Sequence, residues 1–184
     1  MASPFQLRLA AHRLRLGGVL AWPTEAVWGI GCDPLNPHAV RRLMAIKQRD
    51  FSRGLILVGA SYEQIRPYIL PLPEKQMQPV HESWPGPHTW LLPASPDTPA
   101  WITGASSLVA VRVSAHPLTR ELCLSFGGAL TSTSANRSGH PPARNALQLR
   151  LRCPDTDAVL HGPCGGLPRP TPIRNALSGE VIRP

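Results

Sequence analysis

The chain has 184 residues, enough for one domain with a real core, and its 42% hydrophobic content excludes a disordered polymer. Lysine and arginine outnumber aspartate and glutamate 19 to 11, and the resulting +8 suits anionic partners such as nucleotides, phosphates or RNA, or simply solvated arginine faces. No apolar run is long enough to cross a bilayer, and His12, Arg13 and Arg15 break up the amino terminus, so no membrane partner and no secretory leader are expected and the cytoplasm is the default compartment.

The spacing of Phe5, Leu9 and Leu16 predicts an amphipathic helix over 4–16, stopped by Gly17-Gly18. A buried strand follows from Gly18 to Trp22 and ends at Pro23. Gly29, Gly31, Asp33 and Pro34 predict a loop. Asn36 then reads as a helix N-cap with Pro37 in the first turn, and Val40, Leu43 and Met44 form the apolar stripe of a helix running towards Lys47. Gly54 to Val58 predicts a second buried strand. Segments 61–69 and 73–82 read as helices broken by Pro71 and Pro73, and Trp84 to His88 as a turn. Thr89–Leu92 and Ser107–Val113 are expected strands, Pro117–Phe126 a helix, and Ala129–Thr133 a strand leading into Ser134-Ala135-Asn136. A helix over 143–151, a short strand over 158–160 and an extended piece over 180–183 complete the chain.

Interleaved strands and helices place the fold in the α/β class with a mixed sheet. The 22 prolines are spread along the chain, so no linker divides it and a single domain over 1–184 is expected. Cys32, Cys123, Cys153 and Cys164 form neither a CxxC pair nor a zinc pattern, and reduced structural cysteines are expected.

Two segments offer anion-binding chemistry. Lys47-Gln48-Arg49 presents a point charge and a planar fork at a helix exit, with Arg53 close behind. In isolation the cluster also suits an ordinary solvated helix end. Ser132-Thr133-Ser134-Ala135-Asn136 follows an apolar strand, where small hydroxyl residues let a phosphate or ribose approach the backbone, although a polar connecting loop would look the same. The chain contains no GxxxxGK[ST], GxGxxG or GxSxG. Glu25 and Asp33 are the only acids near the early motif, so paired-carboxylate catalysis is not expected.

Taken in order, Pro23-Thr24-Glu25-Ala26-Val27-Trp28-Gly29, Lys47-Gln48-Arg49, Gly54-Leu55-Ile56-Leu57, Pro85-Gly86-Pro87-His88-Thr89, Ala110-Val111-Arg112-Val113 and Ser132-Thr133-Ser134-Ala135-Asn136-Arg137-Ser138-Gly139 resemble the YrdC/TsaC family of threonylcarbamoyl-AMP synthases, in its bacterial short form, over almost the whole chain. The resemblance implies a YrdC-like twisted mixed sheet flanked by helices around a basic concave cavity. It implies that L-threonine, bicarbonate and ATP are converted to L-threonylcarbamoyladenylate and pyrophosphate, for modification of tRNA beside the anticodon. It further implies that Lys47 and Arg49 act on the ATP phosphates as catalytic cations. Arg112, Ser134, Asn136, Ser138 and Arg183 are expected to complete the ATP site, and Thr24 and Thr171 to contact L-threonine. Magnesium is expected with ATP, bound through water and phosphate oxygens, and no protein metal ligand is assigned. A TsaD-type transferase is the implied partner. Pro170-Thr171-Pro172-Ile173 departs from the family's Pro-Ser-Thr-Ile: the hydroxyl is kept, but Pro172 removes a backbone donor. The competing expectation is a basic module that binds tRNA or duplex RNA, or associates with the ribosome, without catalysis.

Overall fold

The computed structural model describes residues 2–184. Ser3 caps the first helix, α1 (Pro4–Arg15), by a reciprocal capping box with Gln6, and Pro4 sits in the first turn, where its missing N–H costs nothing. The buried stripe of α1 is Leu7, Ala10, Ala11 and Leu14. Phe5, Leu9 and Leu16, the expected apolar face, are instead exposed. Both sets fit a helical period, and packing against the rest of the chain selects the one with small alanines.

Strand β1 (Leu20–Pro23) pairs antiparallel with β2 (Trp28–Gly31), so the glycines expected to mark a loop belong to a hairpin strand. The reason is space. A Cβ on Gly31 would lie 1.8 Å from the Thr131 carbonyl oxygen and 2.7 Å from Trp22 Cη2. Only glycine lets the ladder close there. Gly31→Ala is expected to destabilise the protein by about 3 kcal/mol, the upper end of overpacking, read as a lower urea midpoint.

Asn36 caps α2 (Pro37–Lys47) through His38 N and Ala39 N, and Gln48 ends it in the left-handed region, with φ 50°. A 3-10 turn at Phe51–Arg53 leads to β3 (Ile56–Gly59). The helix expected over 61–69 shortens to α3 (Tyr62–Ile65) plus a 3-10 turn at Arg66–Tyr68. Pro67 enters there and cannot donate to a continuing helix. After α4 (Glu74–Glu82) come β4 (Thr89–Pro93), the unexpected short α5 (Ala100–Thr103) and β5 (Leu108–Val113). Helix α6 (Pro117–Phe126) ends at Gly127, with φ 87°. The chain finishes with β6 (Leu130–Ser134), α7 (Ala146–Arg152), β7 (Ala158–Val159), β8 (Ile173–Asn175) and β9 (Val181–Arg183). Strand β8 was not expected from the sequence; it is three residues long and lies in a stretch rich in proline and glycine.

One mixed sheet runs β7-β1-β2-β6-β3-β5-β4-β8-β9. Strand alternation divides the core into two layers. Leu20, Trp22, Val58 and Leu130 pack beneath α1 and α6 on one face, against Leu7, Leu14, Leu118 and Leu122. Val19, Ala21, Ile30, Leu57 and Val111 face the other way, towards Leu43 and Met44 of α2, Met77 and Val80 of α4 and Leu149 of α7. The parity of a strand therefore decides which helix layer each side chain meets. β6 lies between β2 and β3: its first residues, Leu130 to Ser132, pair with β3 and its carboxyl end, Thr133 and Ser134, with β2.

Candidate functional site

The fold brings six distant stretches to one recess of about 390 Å³. Thr24 enters it from the end of β1, Arg49 and Arg53 from the exit of α2, Arg112 from β5, Ser134 from β6, Thr171 from the segment before β8 and Arg183 from β9. Four arginines line this cavity and no carboxylate does.

Arg49 reaches the cavity because α2 ends in a left-handed residue and the following turn folds back. Its Nη2 donates to Arg53 O at 3.2 Å and Gly54 O at 3.0 Å, while its Nε is buried without a partner. Burial, and then the like charges of Arg53 and Arg183, hold the guanidinium below its usual range. Arg183 grips the Thr171 carbonyl with Nε at 3.1 Å and Nη2 at 2.6 Å. Burial and then Arg112 lower it in the same direction. An anion placed among these groups would relieve the repulsion.

Arg112 is held by hydroxyls: Nη1 donates to Thr171 Oγ1 at 2.6 Å and to Thr89 Oγ1 at 3.3 Å. Its Nη2 lies 3.5 Å from Glu25 Oε2, and Glu25 Oε1 accepts from Ser114 Oγ at 2.6 Å. Burial pushes the Glu25 carboxyl up, but Arg112 and the Ser114 hydroxyl outweigh it, so it titrates below its ordinary 4.5. A folded value below the unfolded one stabilises the fold above pH 4.5, and that contribution is lost as pH falls through the lower folded value. Unfolding curves from neutral to acid pH are therefore expected to fall more steeply for the wild type than for Glu25→Gln.

Lys47 differs from the expectation. It is buried at 2% exposure and lies behind the cavity wall rather than lining it. Its ammonium donates to the Ser134 carbonyl and, at 3.0 Å, to the Asn136 carbonyl, while its own carbonyl accepts from Ser138 N at 2.8 Å. Desolvation and then Arg49 lower its pKa to about 8. The cation is thus spent on the end of β6. Asn136 and Ser138 also stay outside the lining. Asn136 Nδ2 donates to His140 O at 2.6 Å and to Arg137 O at 2.9 Å, which shapes the turn after the strand. Lys47, Asn136 and Ser138, expected to touch a nucleotide, thus lie at the end of β6 outside the cavity lining, where the Lys47 cation is satisfied by backbone carbonyls.

Thr24 Oγ1 donates to Val27 O at 2.8 Å, fixing the hairpin turn at the cavity edge. Pro172 falls just before β8, and its carbonyl accepts from Thr89 N at 3.0 Å, so proline stands at a strand start, where it is tolerated. Arg53 was visible in the sequence as a third cation beside Arg49 but was not assigned to the site; its place in the lining depends on the 3-10 turn at Phe51–Arg53.

Among the described residues no group of three or more His, Cys, Asp or Glu could hold a metal ion. The one carboxylate beside the cavity, Glu25, is committed to Ser114 and Arg112. The lining offers no carboxylate to hold a magnesium ion. Cys32 and Cys123 are buried thiols pushed up to about 12, which suits structural rather than reactive roles. No helix among the described residues is long and apolar enough to cross a membrane.

Comparison with known proteins follows the same outline. Residues 12–184 match the Sua5/YciO/YrdC family model, described as "Telomere recombination". The threonylcarbamoyl-AMP synthase of Alkalilimnicola ehrlichii is 54% identical, over 97% of this chain and 95% of the relative. That of Halorhodospira halophila is 51% identical, over 98% of this chain and 95% of the relative. The crystal structure of P. abyssi Sua5 complexed with L-threonine superposes with a TM-score of 0.93 at 29% identity, covering 100% of this chain and 55% of that one. The chain thus spans about half the length of that protein. E. coli YciO shares the fold, with a TM-score of 0.89 at 20% identity and coverage of 100% of this chain and 90% of that one. On the match through residues 12–184 and on relatives about half identical along nearly their whole length, the chain belongs to the Sua5/YciO/YrdC family.

Proposed function

We propose that this protein is a threonylcarbamoyl-AMP synthase, joining L-threonine, bicarbonate and ATP into L-threonylcarbamoyladenylate with release of pyrophosphate. The observation that carries the reading is the convergence of Arg49, Arg53, Arg112 and Arg183 with Thr24, Ser134 and Thr171 on one cavity. The names of the half-identical relatives support it, and they favour an enzyme over a non-catalytic RNA-binding module.

The chemistry needs such a place. The threonine amine attacks bicarbonate and water leaves, giving a carbamate. A carbamate oxygen then attacks the α-phosphorus of ATP, the bond from that phosphorus to the bridging oxygen breaks, and pyrophosphate departs with the electron pair. Nucleophile and electrophile are both anionic, so they meet only where fixed cations offset the repulsion. Arg49, Arg53 and Arg183 are placed to hold the triphosphate, which enters as its magnesium complex and is therefore substrate. Ser134 and its backbone face the nucleotide, with Lys47, Asn136 and Ser138 holding that strand end. Thr24 and Thr171 border the amino acid, beside Arg112. Proximity supplies the remainder, since carbamates are short-lived in water.

The labile adenylate would pass in the cytoplasm to a TsaD-type transferase that modifies tRNA next to the anticodon. The test is pyrophosphate release by pure protein with ATP and bicarbonate. Release is expected to require L-threonine and to yield an adenylate of the corresponding mass. Release indifferent to threonine would overturn the reading.

A further inference from the structure

We infer that Glu25 is a positioning residue for Arg112, holding the guanidinium so that its free donor capacity serves a planar anionic group in the cavity. The inference rests on the proposed function for the identity of that group: the carboxylate of the amino acid, or the bicarbonate and carbamate derived from it.

Glu25 is the only buried carboxylate among the described residues, at 6% exposure, and it faces Arg112, itself at 4%. Thr24 and Ala26 on either side line the cavity, whereas Glu25 does not. It therefore works from behind. Ser114 Oγ fixes Oε1 at 2.6 Å, which leaves Oε2 without a hydrogen bond and 3.5 Å from Arg112 Nη2. On the other edge of the guanidinium, Thr171 and Thr89 accept from Nη1. The cation is clamped on two sides, while Nε remains unpartnered in a buried position. A guanidinium held in plane with donors to spare matches a planar carboxylate-like anion better than a tetrahedral phosphate held by charge alone.

Glu25 also divides the labour of the cavity. Arg49 and Arg53 have no carboxylate beside them in the lining, so their charge is not offset there. Arg112, balanced by Glu25, acts through direction. The remaining polar neighbour, His116, is tied through Nε2 to Pro163 O at 3.1 Å.

The experiment compares wild type, Glu25→Gln, Ser114→Ala and the double variant Glu25→Gln/Arg112→Lys. In Glu25→Gln, kcat/KM for threonine or bicarbonate is expected to fall by about 10- to 100-fold, the scale of a small misplacement of a reacting group, with KM for ATP unchanged. A rise confined to the threonine KM assigns the carboxylate to Arg112, and a rise confined to the bicarbonate KM assigns the one-carbon group. Ser114→Ala is expected to shift the same constant by less, and it serves if Glu25→Gln fails to fold. Adding Arg112→Lys to Glu25→Gln is expected to cost little more, because the two act as one unit. Nitrogen NMR of the ligand-free protein gives a readout independent of turnover: a slowly exchanging Arg112 Nε–H signal in wild type, lost in Glu25→Gln. If the wild type makes no adenylate, the functional reading falls and this signal alone decides Glu25. An unchanged signal, or a variant that is less stable yet has wild-type constants, would overturn the positioning role.

Discussion

Arg49→Ala is expected to lower kcat/KM for ATP by about 10²- to 10³-fold, the loss seen when one fixed stabiliser of transition-state charge is removed. The side chain combines cavity exposure, an unpartnered Nε and two anchoring bonds to the Arg53 and Gly54 carbonyls. It is therefore pre-aimed, and a phosphate need not order it. Stability is expected to change by less than about 2 kcal/mol, because two lost hydrogen bonds are offset by relief of the repulsion from Arg53 and Arg183. Arg49→Lys is expected to recover only part of the activity, since an ammonium cannot reproduce the fork. Initial rates of pyrophosphate release at varied ATP check both variants, and unchanged kinetics in the alanine variant would remove Arg49 from the site.

Lys47→Met is likewise expected to cost more activity than stability. The ammonium secures the Ser134 and Asn136 carbonyls, so its loss lets the end of β6 drift. A shift of about 1 Å at Ser134 is expected to cost at least about 10²-fold in kcat. Stability responds less. Two carbonyls lose a partner, which costs about 1–3 kcal/mol each where they stay dry, but a desolvated cation beside Arg49 disappears as well. The pH dependence gives a cleaner sign. The folded pKa, about 8, lies below the ordinary 10.5, so between those values the unfolded chain holds more protons. The stability of wild type relative to the methionine variant is therefore expected to grow as pH rises from 8 to 10.5, measured by urea unfolding at each pH.

Much of this fold was legible because local chemistry and packing agree. Asn36-Pro37 opens α2, Gly127 closes α6, and apolar runs such as Leu55–Val58 can only be buried strands. The sequence misled where two patterns were both satisfiable. Phe5-Leu9-Leu16 and Leu7-Ala10-Leu14 both fit α1, and only the partner helix α6 decides between them. Gly29 and Gly31 read as a loop because glycine disfavours strands, yet at Gly31 the Thr131 carbonyl excludes any side chain and at Gly29 the neighbours leave little room for one. The site was legible as residue types but not as directions. Arg49 and Ser134 enter the cavity, whereas Lys47 and Asn136, two positions away in the same motifs, turn away from it to hold its wall. A motif preserves both kinds of residue without distinguishing them. Glu25 was discounted because a lone carboxylate suggests no acid–base pair; its partner Arg112 is distant in sequence and meets it only through the fold.

The most direct test is a crystal structure of the protein with a non-hydrolysable ATP analogue and L-threonine bound together. Both ligands are expected within the recess lined by Thr24, Arg49, Arg112, Ser134, Thr171 and Arg183, with the triphosphate on Arg49 and the amino acid beside Arg112. Density for the nucleotide on another surface, with Arg49 and Arg183 still turned on backbone carbonyls, would contradict it.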